Sequence, residues 1–255
     1  MENNHPYIVI ALPCYNEAEN IPGLLENFER LNLVYGKLFE TKVVLIDDAS
    51  KDNTQEVLKS KKWNLDLTII LHPENRNLTG GINTAFAYYE EALKKENPPL
   101  ALGLMDGDNS HPASTIPSMM EKMMQGYDVV VASRYRPGSQ IVGVSGFRQI
   151  LSLGLAMLFK MLHNLPGIRD MSCGFRLYSP RIIKLIKKDF PSDVVFEKSF
   201  ASMVEILLRC HKAGAVMGEV PFLLRYDLKM GLSKMDFKKT IMGNLKLLTT
   251  LKSVK

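Results

Sequence analysis

The sequence predicts an α/β fold, a mostly parallel sheet covered by helices on both faces. Three features carry that expectation. Short apolar runs alternate with stretches of helical periodicity through the first half, at the spacing that right-handed strand–helix–strand crossovers need. Polar clusters stand directly behind four of the runs, and ligands of parallel sheets bind beyond the carboxyl ends of the strands. The length, 255 residues, accommodates one large domain with a full core and is short for two.

Residues 7–12 form the first apolar run, stopped at Pro13, and residues 18–33 repeat apolar side chains at helical spacing. Residues 42–46 (KVVLI) have the unbroken apolar character of a strand buried on both faces, closed by Asp47-Asp48. A helix follows from about Asn53, then a strand at 67–71, a helix at 81–95 and a strand at 100–105. A helix at 116–125 and a fifth strand at 128–132 (DVVVA) continue the alternation. The four polar clusters are Tyr15-Asn16-Glu17, Asp47-Asp48, Asp106-Gly107-Asp108 and Ser133-Arg134. The second half changes character: an apolar helix over 144–162, a short strand at 174–178, a long helix at 196–213, strand character over 216–224 around Pro221, and a last helix from near Asp236. The expected organisation is one domain over 1–235 and a basic amphipathic helix over 236–255.

With 46% hydrophobic and 23% charged residues, and no repeat or low-complexity tract, the composition is that of a globular protein. Residues 1–6 are polar and lack the layout of a secretion signal. The longest apolar stretch, 150–159, is closed off by Arg148 and Lys160, well short of the ~20 residues of a spanning helix. Cys14, Cys173 and Cys210 have no metal-ligand spacing and fit a reducing cytosol as small apolar fillers. The net charge of +5 is concentrated at the end: six lysines from Lys234 onward face one acid, Asp236, and the remainder balances at 26 basic and 26 acidic residues. Such a tail suits anionic lipid and equally a solvated helix face. Confined there, and without a basic–aromatic motif, it argues against nucleic acid. GxGxxG and GxxxxGK[ST] are absent, which removes the usual dinucleotide and P-loop readings.

Asp106-Gly107-Asp108 places two carboxylates at i and i+2 around a glycine that permits a tight turn. Both can approach one hard divalent cation, and Mg²⁺ takes few protein carboxylates alongside phosphate oxygens and water. A cation there would draw off charge from a leaving diphosphate as a Lewis acid. Exposed turns use Asp and Gly freely too, but the position behind a strand, with His111-Pro112 next, favours a site. Asp47-Asp48 reads as a helix or turn cap, or as an acceptor for a base or ribose. Asn16 reads as a helix cap, and Tyr15 as the wall of a nucleobase pocket. Gly80-Gly81 opens a helix, either facing a phosphate or as plain punctuation. Arg134, Arg136 and Arg148 fall within 15 residues, between the fifth strand and an apolar helix. Guanidinium planes suit phosphate oxygens and an apolar helix suits a lipid chain; Arg136 reads as a surface residue. Met119, Met120, Met123 and Met124 read as packing.

PCYNEAENI, VVLIDDASKDNT, MDGDNSHP, ASRYRPGS, CGFRLY and EVPFLLRYDLKMGLSKM occur in that order. As an ordered set they resemble family 2 glycosyltransferases of the GT-A fold, specifically the dolichyl- or polyprenyl-phosphate mannose synthase group, over residues 8–235. The resemblance implies transfer of a hexose, mannose above all, from a nucleotide diphosphate sugar to a polyprenyl or dolichyl phosphate, with Mg²⁺ or Mn²⁺. It implies that Pro13, Tyr15, Glu17 and Asp48 contact the donor nucleoside, and that Asp106, Gly107 and Asp108 hold its diphosphate and the metal. Ser110 stands where the family often has Gln at the metal, and its shorter side chain suits a bridging water. Arg134, Arg148 and Ser152 match positions that handle acceptor phosphates, with Asp108, Arg134 and Arg148 as the catalytic set. Lys234 matches a lysine on the donor diphosphate. The basic residue preceding Gly231 is either Lys229 or Arg225, which the spacing leaves open. A peripheral position at the cytoplasmic face of a membrane follows, with a separate membrane-protein partner left open.

An alcohol acceptor must lose a proton as it attacks, which calls for a general base; a phosphate acceptor is already anionic. The chain has neither the Glu-Asp dipeptide nor the QxxRW motif of the family's polymer-forming members. Asp170 stays a turn residue or a candidate base. Catalysis then rests on positioning and charge neutralisation, and direct displacement inverts the anomeric carbon. The nearest alternative is a transferase of the same fold that uses a UDP-sugar and a saccharide or protein hydroxyl. From another class, the alternative is a non-catalytic nucleotide-binding regulator.

Overall fold

Strands β1 (Tyr7–Cys14) and β2 (Glu40–Asp47) pair in parallel over eight residues each, and almost every side chain in them is buried. Burial on both faces explains their unbroken apolar runs. The computed structural model describes residues 5–163, 165–231 and 237–250. Side chains at 147, 148, 150, 151, 155, 159 and 162, and at 237–239, 244 and 248–250, fall outside that description.

Outward from β2 lies β3 (Leu67–Leu71), parallel to β2; on the other side of β1 lies β4 (Leu102–Leu104), parallel to β1. The sheet continues through β7 (Arg176–Tyr178), β5 (Val129–Ser133) and β8 (Met217–Pro221), giving seven strands in the order β3-β2-β1-β4-β7-β5-β8. Helices α1 (Ile21–Tyr35), α2 (Thr54–Lys59), α3 (Asn77–Ala92) and α4 (Ile116–Met124) surround it. The fold is therefore α/β and mostly parallel, as the alternation of runs implies.

One strand departs from that pattern. The short strand expected at 174–178 runs antiparallel to both β4 and β5. Arg176 in its first position is wholly buried and donates from Nη1 to the Met203 carbonyl (2.6 Å) and from Nη2 to the Met171 carbonyl (2.8 Å). Carbonyl oxygens thus take both Nη groups of a buried cation that an apolar pattern does not announce, while its Nε has no hydrogen-bond partner among the described residues.

Further departures lie in the second half. Helix α6 (Pro180–Asp189) was not expected, although its start is written in the sequence. Ser179 Oγ accepts the Ile182 N–H (3.2 Å) as an N-cap, Pro180 takes the first turn, and Ile182, Ile183 and Ile186 face the core. Helix α7 (Ser202–Lys212) begins six residues later than its periodicity suggests. The Phe196 and Glu197 amides instead donate to buried Glu205 Oε2 (3.0 and 2.8 Å), and Arg209 pairs with Glu205 Oε1 (2.6 Å). The strand expected over 216–224 is split between β8 and β9 (Leu223–Arg225), which pairs with β6 (Gln140–Val142) as a separate two-stranded parallel sheet. The apolar helix α5 (Gly146–His163) packs against α8 (Phe237–Thr250), whose Leu247 reaches the core.

Gly80 and Gly81 do not open a helix. They lie within α3, where a Cβ on Gly81 would stand 2.7 Å from Pro13 Cβ, so the glycine lets α3 close on the end of β1. Met119 and Met120 are core residues while Met124 is exposed, and all three cysteines are buried free thiols.

Candidate active site

The carboxyl ends of β1, β2, β4 and β5 open onto a cleft of about 500 Å³. Among the described residues, the non-glycine positions with left-handed backbone are Asn16, Ala49, Asn77 and Asn109 (φ 53–60°). Each follows one of the four parallel strands β1 to β4 and turns the chain along the cleft rim. Such a conformation costs of order 1 kcal/mol or more and clusters where surrounding structure enforces it. At Asn16 the enforcement is explicit: its N–H donates to Ser50 Oγ (2.8 Å) and its Oδ1 accepts from the Lys51 N–H (2.7 Å). Asn16 is thus a turn residue and not the cap of α1, which starts at Ile21.

At one end Pro13, Tyr15, Glu17 and Asp48 line the cleft. The paired aspartates behind β2 have separate tasks. Asp47 holds the turn, accepting from the Ser50 N–H (3.0 Å) and from Gln55 (3.0 Å). Asp48 Oδ1 accepts from His72 Nδ1 (2.7 Å) and the Arg76 N–H (2.8 Å), and His72 Nε2 lies 2.9 Å from Thr84 Oγ1. His72 therefore fixes the carboxylate's plane and leaves Oδ2 without a protein hydrogen bond among the described residues.

In the middle stand Asp106, Gly107, Asp108, Ser110, His111 and Lys229. Gly107 is required sterically, because a Cβ there would meet Cys14 Cβ at 2.9 Å. Asp108 is braced on both oxygens: Oδ1 by the Ser110 hydroxyl (2.6 Å) and N–H (3.1 Å), Oδ2 by Lys229 Nζ (2.6 Å). Ser110 spends its hydroxyl proton on Asp108. His111 stacks on Phe175 with ring centroids 5.4 Å apart, and its Nε2 lies 4.0 Å from Asp106 Oδ2. The two carboxyls titrate apart. Asp106 keeps 37% of its side-chain surface open to the cleft, but protein encloses the rest. That enclosure raises its carboxyl, against the pull of His111 and with the Asp108 charge adding to the rise. Burial pushes Asp108 upward too, yet His111 and Lys229 outweigh it and hold the carboxyl below the usual range. Lys229, desolvated but facing Asp108, is held above its ordinary value.

The far end contains Arg134, Ser152, Lys198 and Phe200, with Ile141, Val144 and Leu224 as its apolar wall. Arg134 makes a bidentate pair with Asp170, from Nε to Oδ2 and from Nη2 to Oδ1 at 2.7 Å each, and also donates to Ser172 Oγ (2.7 Å). Its Nη1 is the edge left without a hydrogen bond among the described residues. Asp170 is wholly buried, accepts the Arg134 and Cys173 N–H groups as well, and does not line the cleft. It serves as the counter-ion that fixes Arg134, not as a general base. Ser152 Oγ lies 3.1 Å from the Tyr135 hydroxyl.

One cleft is lined by Pro13, Tyr15, Glu17 and Asp48 at one end, by Asp106, Gly107, Asp108, Ser110 and Lys229 at the centre, and by Arg134 with Ser152 at the other, whereas Asp47, Arg136, Asp170 and Arg225 do not line it. Arg148 lies on α5, but its side chain falls outside the described residues, as does Lys234 entirely. Of the two cations preceding Gly231, Lys229 reaches the cleft and Arg225 pairs with Asp227 (2.8 Å) away from it. Sequence reasoning missed His72, Asn20 and the partnership of Asp170 with Arg134, all joined across long separations. Only Asp170 carried a local signal, in the polar turn Arg169-Asp170-Met171-Ser172.

Residues 9–186 match glycosyl transferase family 2, more than half of the chain. The chain belongs to that family. Curated relatives include a dolichol-phosphate mannosyltransferase of Pyrococcus furiosus, 26% identical over 84% of this chain and 55% of the relative. The chain thus spans about half the length of that relative. It covers far more of an undecaprenyl-phosphate mannosyltransferase of Micrococcus luteus, 25% identical over 90% of this chain and 87% of the relative. A polyprenol monophosphomannose synthase of Mycolicibacterium smegmatis is 24% identical over 89% and 80%. Among solved structures, glucosyl-3-phosphoglycerate synthase of Mycobacterium tuberculosis, in complex with Mn²⁺, UDP-glucose and phosphoglyceric acid, superposes with a TM-score of 0.65 at 14% identity. The match covers 98% of this chain and 79% of that one. Residues 1–349 of S. aureus TarS give a TM-score of 0.57 at 18% identity over 86% and 60%. These neighbours establish the GT-A fold of this family 2 chain.

Proposed function

We propose that this family 2 glycosyltransferase moves a hexose, mannose above all, from a nucleoside diphosphate to a polyprenyl or dolichyl phosphate, inverting the anomeric carbon. One observation carries the reading: a single cleft joins a carboxylate pair with a lysine at its centre to a fixed arginine at its far end, beside the apolar helix α5. The names of the three mannosyltransferase relatives support both donor sugar and lipid acceptor.

The central carboxylates suit a divalent cation. Among the described residues no three His, Cys, Asp or Glu side chains gather into a metal cage. Two carboxylates are nevertheless what Mg²⁺ or Mn²⁺ needs when the donor diphosphate and water supply the other ligands. Lys229 already brings positive charge to Asp108, so the pocket is built to neutralise an anion there. Solved neighbours with Mn²⁺ or Mg²⁺ support the same assignment. Asp106 and Asp108 would hold the cation, with Ser110 bracing Asp108 or reaching the ion through water. Bound there, it would supply Lewis-acid neutralisation of the leaving diphosphate.

The remaining steps fall to the chain's own groups. Pro13, Tyr15, Glu17 and Asp48 hold the nucleoside, with Asp48 Oδ2 as a ready acceptor for a ribose or base donor. Lys229 stabilises the departing diphosphate, with Gly107 giving close backbone approach and Lys234 as a second cation. Arg134 offers Nη1 to the acceptor phosphate, supported by Ser152 and Arg148. The attacking phosphate oxygen is anionic at neutral pH, so no general base is required, in keeping with an Asp170 committed to Arg134.

Contact with a membrane surface completes the proposal. Leu153, Met157 and Met161 are spaced by four on α5 and exposed to 42%, 60% and 77%. Met242 and Leu245 are exposed on α8, and Lys160 and Lys246 stand nearby in sequence. Among the described residues no helix is long and apolar enough to cross a membrane. This face suits a peripheral helix pair resting on the cytoplasmic leaflet, with the domain over 1–235 above it and the basic segment 236–255 in contact, of which Asp236 and residues 251–255 lie outside the described residues. A separate membrane protein remains a candidate partner for the same face. The test is incubation with labelled GDP-mannose and UDP-sugars, Mg²⁺ or Mn²⁺, and a short polyprenyl phosphate. Label in the organic phase is the expected result. Label only in water-soluble glycan would overturn the lipid acceptor, and nucleotide binding without turnover would overturn the enzyme.

A further inference from the structure

We infer that Asn20 is a positioning residue: its carboxamide clasps the backbone of Met230 and so registers Lys229 against Asp108. What Lys229 then does for a diphosphate rests on the function proposed above; the clasp itself does not.

Asn20 lies just ahead of α1 and is buried, with 4% of its surface accessible. Its Oδ1 accepts the Met230 N–H (2.8 Å), while its Nδ2 donates to the Met230 carbonyl (3.1 Å) and to Glu17 Oε2 (2.6 Å). One side chain therefore pairs with both backbone groups of a residue 210 positions away, as a neighbouring strand would. Only a carboxamide can do this. Asp lacks the donors, Leu of similar size lacks both functions, and Gln is a methylene too long for the same register.

The segment that Asn20 grips has little else to hold it. Leu228 is 40% exposed, Met230 is 55% exposed, and Gly231 is exposed with a left-handed backbone (φ 85°). No buried apolar side chain anchors residues 228–231, so hydrophobic packing cannot fix where the intervening lysine sits. Among the described residues the Asn20 clasp and the Lys229–Asp108 ion pair at 2.6 Å do so, with the Lys229 ammonium also lying 5.3 Å from the centre of the Tyr226 ring. The ion pair must loosen if Lys229 is to turn toward a ligand. The clasp involves no cleft group except Glu17, so it can persist through that movement and confine it to the lysine side chain. Glu17 lines the cleft beside Tyr15, which makes Asn20 the shared support of the two regions.

The test uses the full chain as wild type, Asn20→Ala, Asn20→Asp, Lys229→Ala and the Asn20→Ala/Lys229→Ala double variant, with folding checked by melting temperature. Asn20→Asp keeps the shape of the side chain and removes its donors, so it covers the case in which Asn20→Ala fails to fold. The first readout needs no ligand: amide exchange at Met230, and acetylation of Lys229 relative to exposed Lys188. Both should rise about tenfold in Asn20→Ala, which loses every bond of the clasp; in Asn20→Asp, which loses the donor to the Met230 carbonyl but keeps an acceptor for its N–H, Lys229 acetylation should rise severalfold and Met230 exchange less. Unchanged exchange and labelling would overturn the proposal. The second readout is the dissociation constant of GDP and of UDP with Mn²⁺. Asn20→Ala should weaken it about tenfold in wild type and less than twofold in Lys229→Ala, since residues acting through one another couple. Equal losses in both backgrounds would show a merely structural role and overturn the positioning claim. If wild type binds neither nucleotide, the function proposed above fails, while exchange and acetylation still decide the clasp.

Discussion

The two ends of the cleft are built by different means. At the end lined by Tyr15 and Asp48 the backbone sets the geometry: parallel strands buried on both faces stop abruptly, and left-handed Asn16, Ala49 and Asn77 turn the chain beyond them. At the end that holds Arg134 the strands are short, β7 runs backwards, and the guanidinium is placed by its ion pair with Asp170. The first construction tolerates change outside the strand ends. The second depends on single partners, so one substitution can release a whole group.

That contrast can be broken by variants of graded effect. Asp108→Ala removes a carboxylate that the strand end positions, and should cut sugar transfer roughly a thousandfold with little change in helical content, read by label transfer and circular dichroism. Arg134→Lys should be milder in chemistry, about a hundredfold in transfer, because an ammonium cannot reproduce the bidentate pair with Asp170. Arg134→Ala should also strand a wholly buried carboxylate, costing about 3–5 kcal/mol and lowering the melting temperature by roughly 10 °C. If both Arg134 variants lose activity at unchanged melting temperature, the dependence on single partners is wrong.

Smaller effects sharpen the same comparison. Met157→Ser with Met161→Ser should weaken binding to anionic vesicles about tenfold and leave the melting temperature unmoved, since both side chains are exposed. The smallest change is expected at Asp128, which joins the two halves through Arg181, Ser179 and the Val216 N–H. Burial raises its carboxyl, but these partners outweigh burial and hold it below the ordinary value. A carboxyl lowered in the folded state contributes stability above its unfolded pKa and loses that contribution as pH falls through the folded one. Asp128→Asn should therefore cost about 1 kcal/mol at pH 7, and the gap from wild type should close below about pH 4, followed by urea denaturation across pH.

The same division decided what the sequence revealed. Strands buried on both faces leave unbroken apolar runs, and the polar residues behind them had to face a common edge, so the position of Tyr15, Glu17, Asp48, Asp106 and Asp108 along one cleft was readable. The direction of β7 was not, because three residues opening with a buried arginine carry no signal of orientation. The late start of α7 depends on Glu205 capturing amides eight and nine positions earlier, against a local pattern that reads as continuous helix. His72 behind Asp48, and Asn20 beneath Lys229, are polar residues whose meaning appears only when distant segments meet. The choice between Lys229 and Arg225 had the same cause, since spacing alone does not show which one turns inward.

The most direct measurement is anomalous diffraction from crystals grown with Mn²⁺ and GDP or UDP. A manganese peak between Asp106 and Asp108, in contact with the nucleotide's phosphates, is the expected result. A nucleotide seated in the cleft with no manganese at that pair would contradict it.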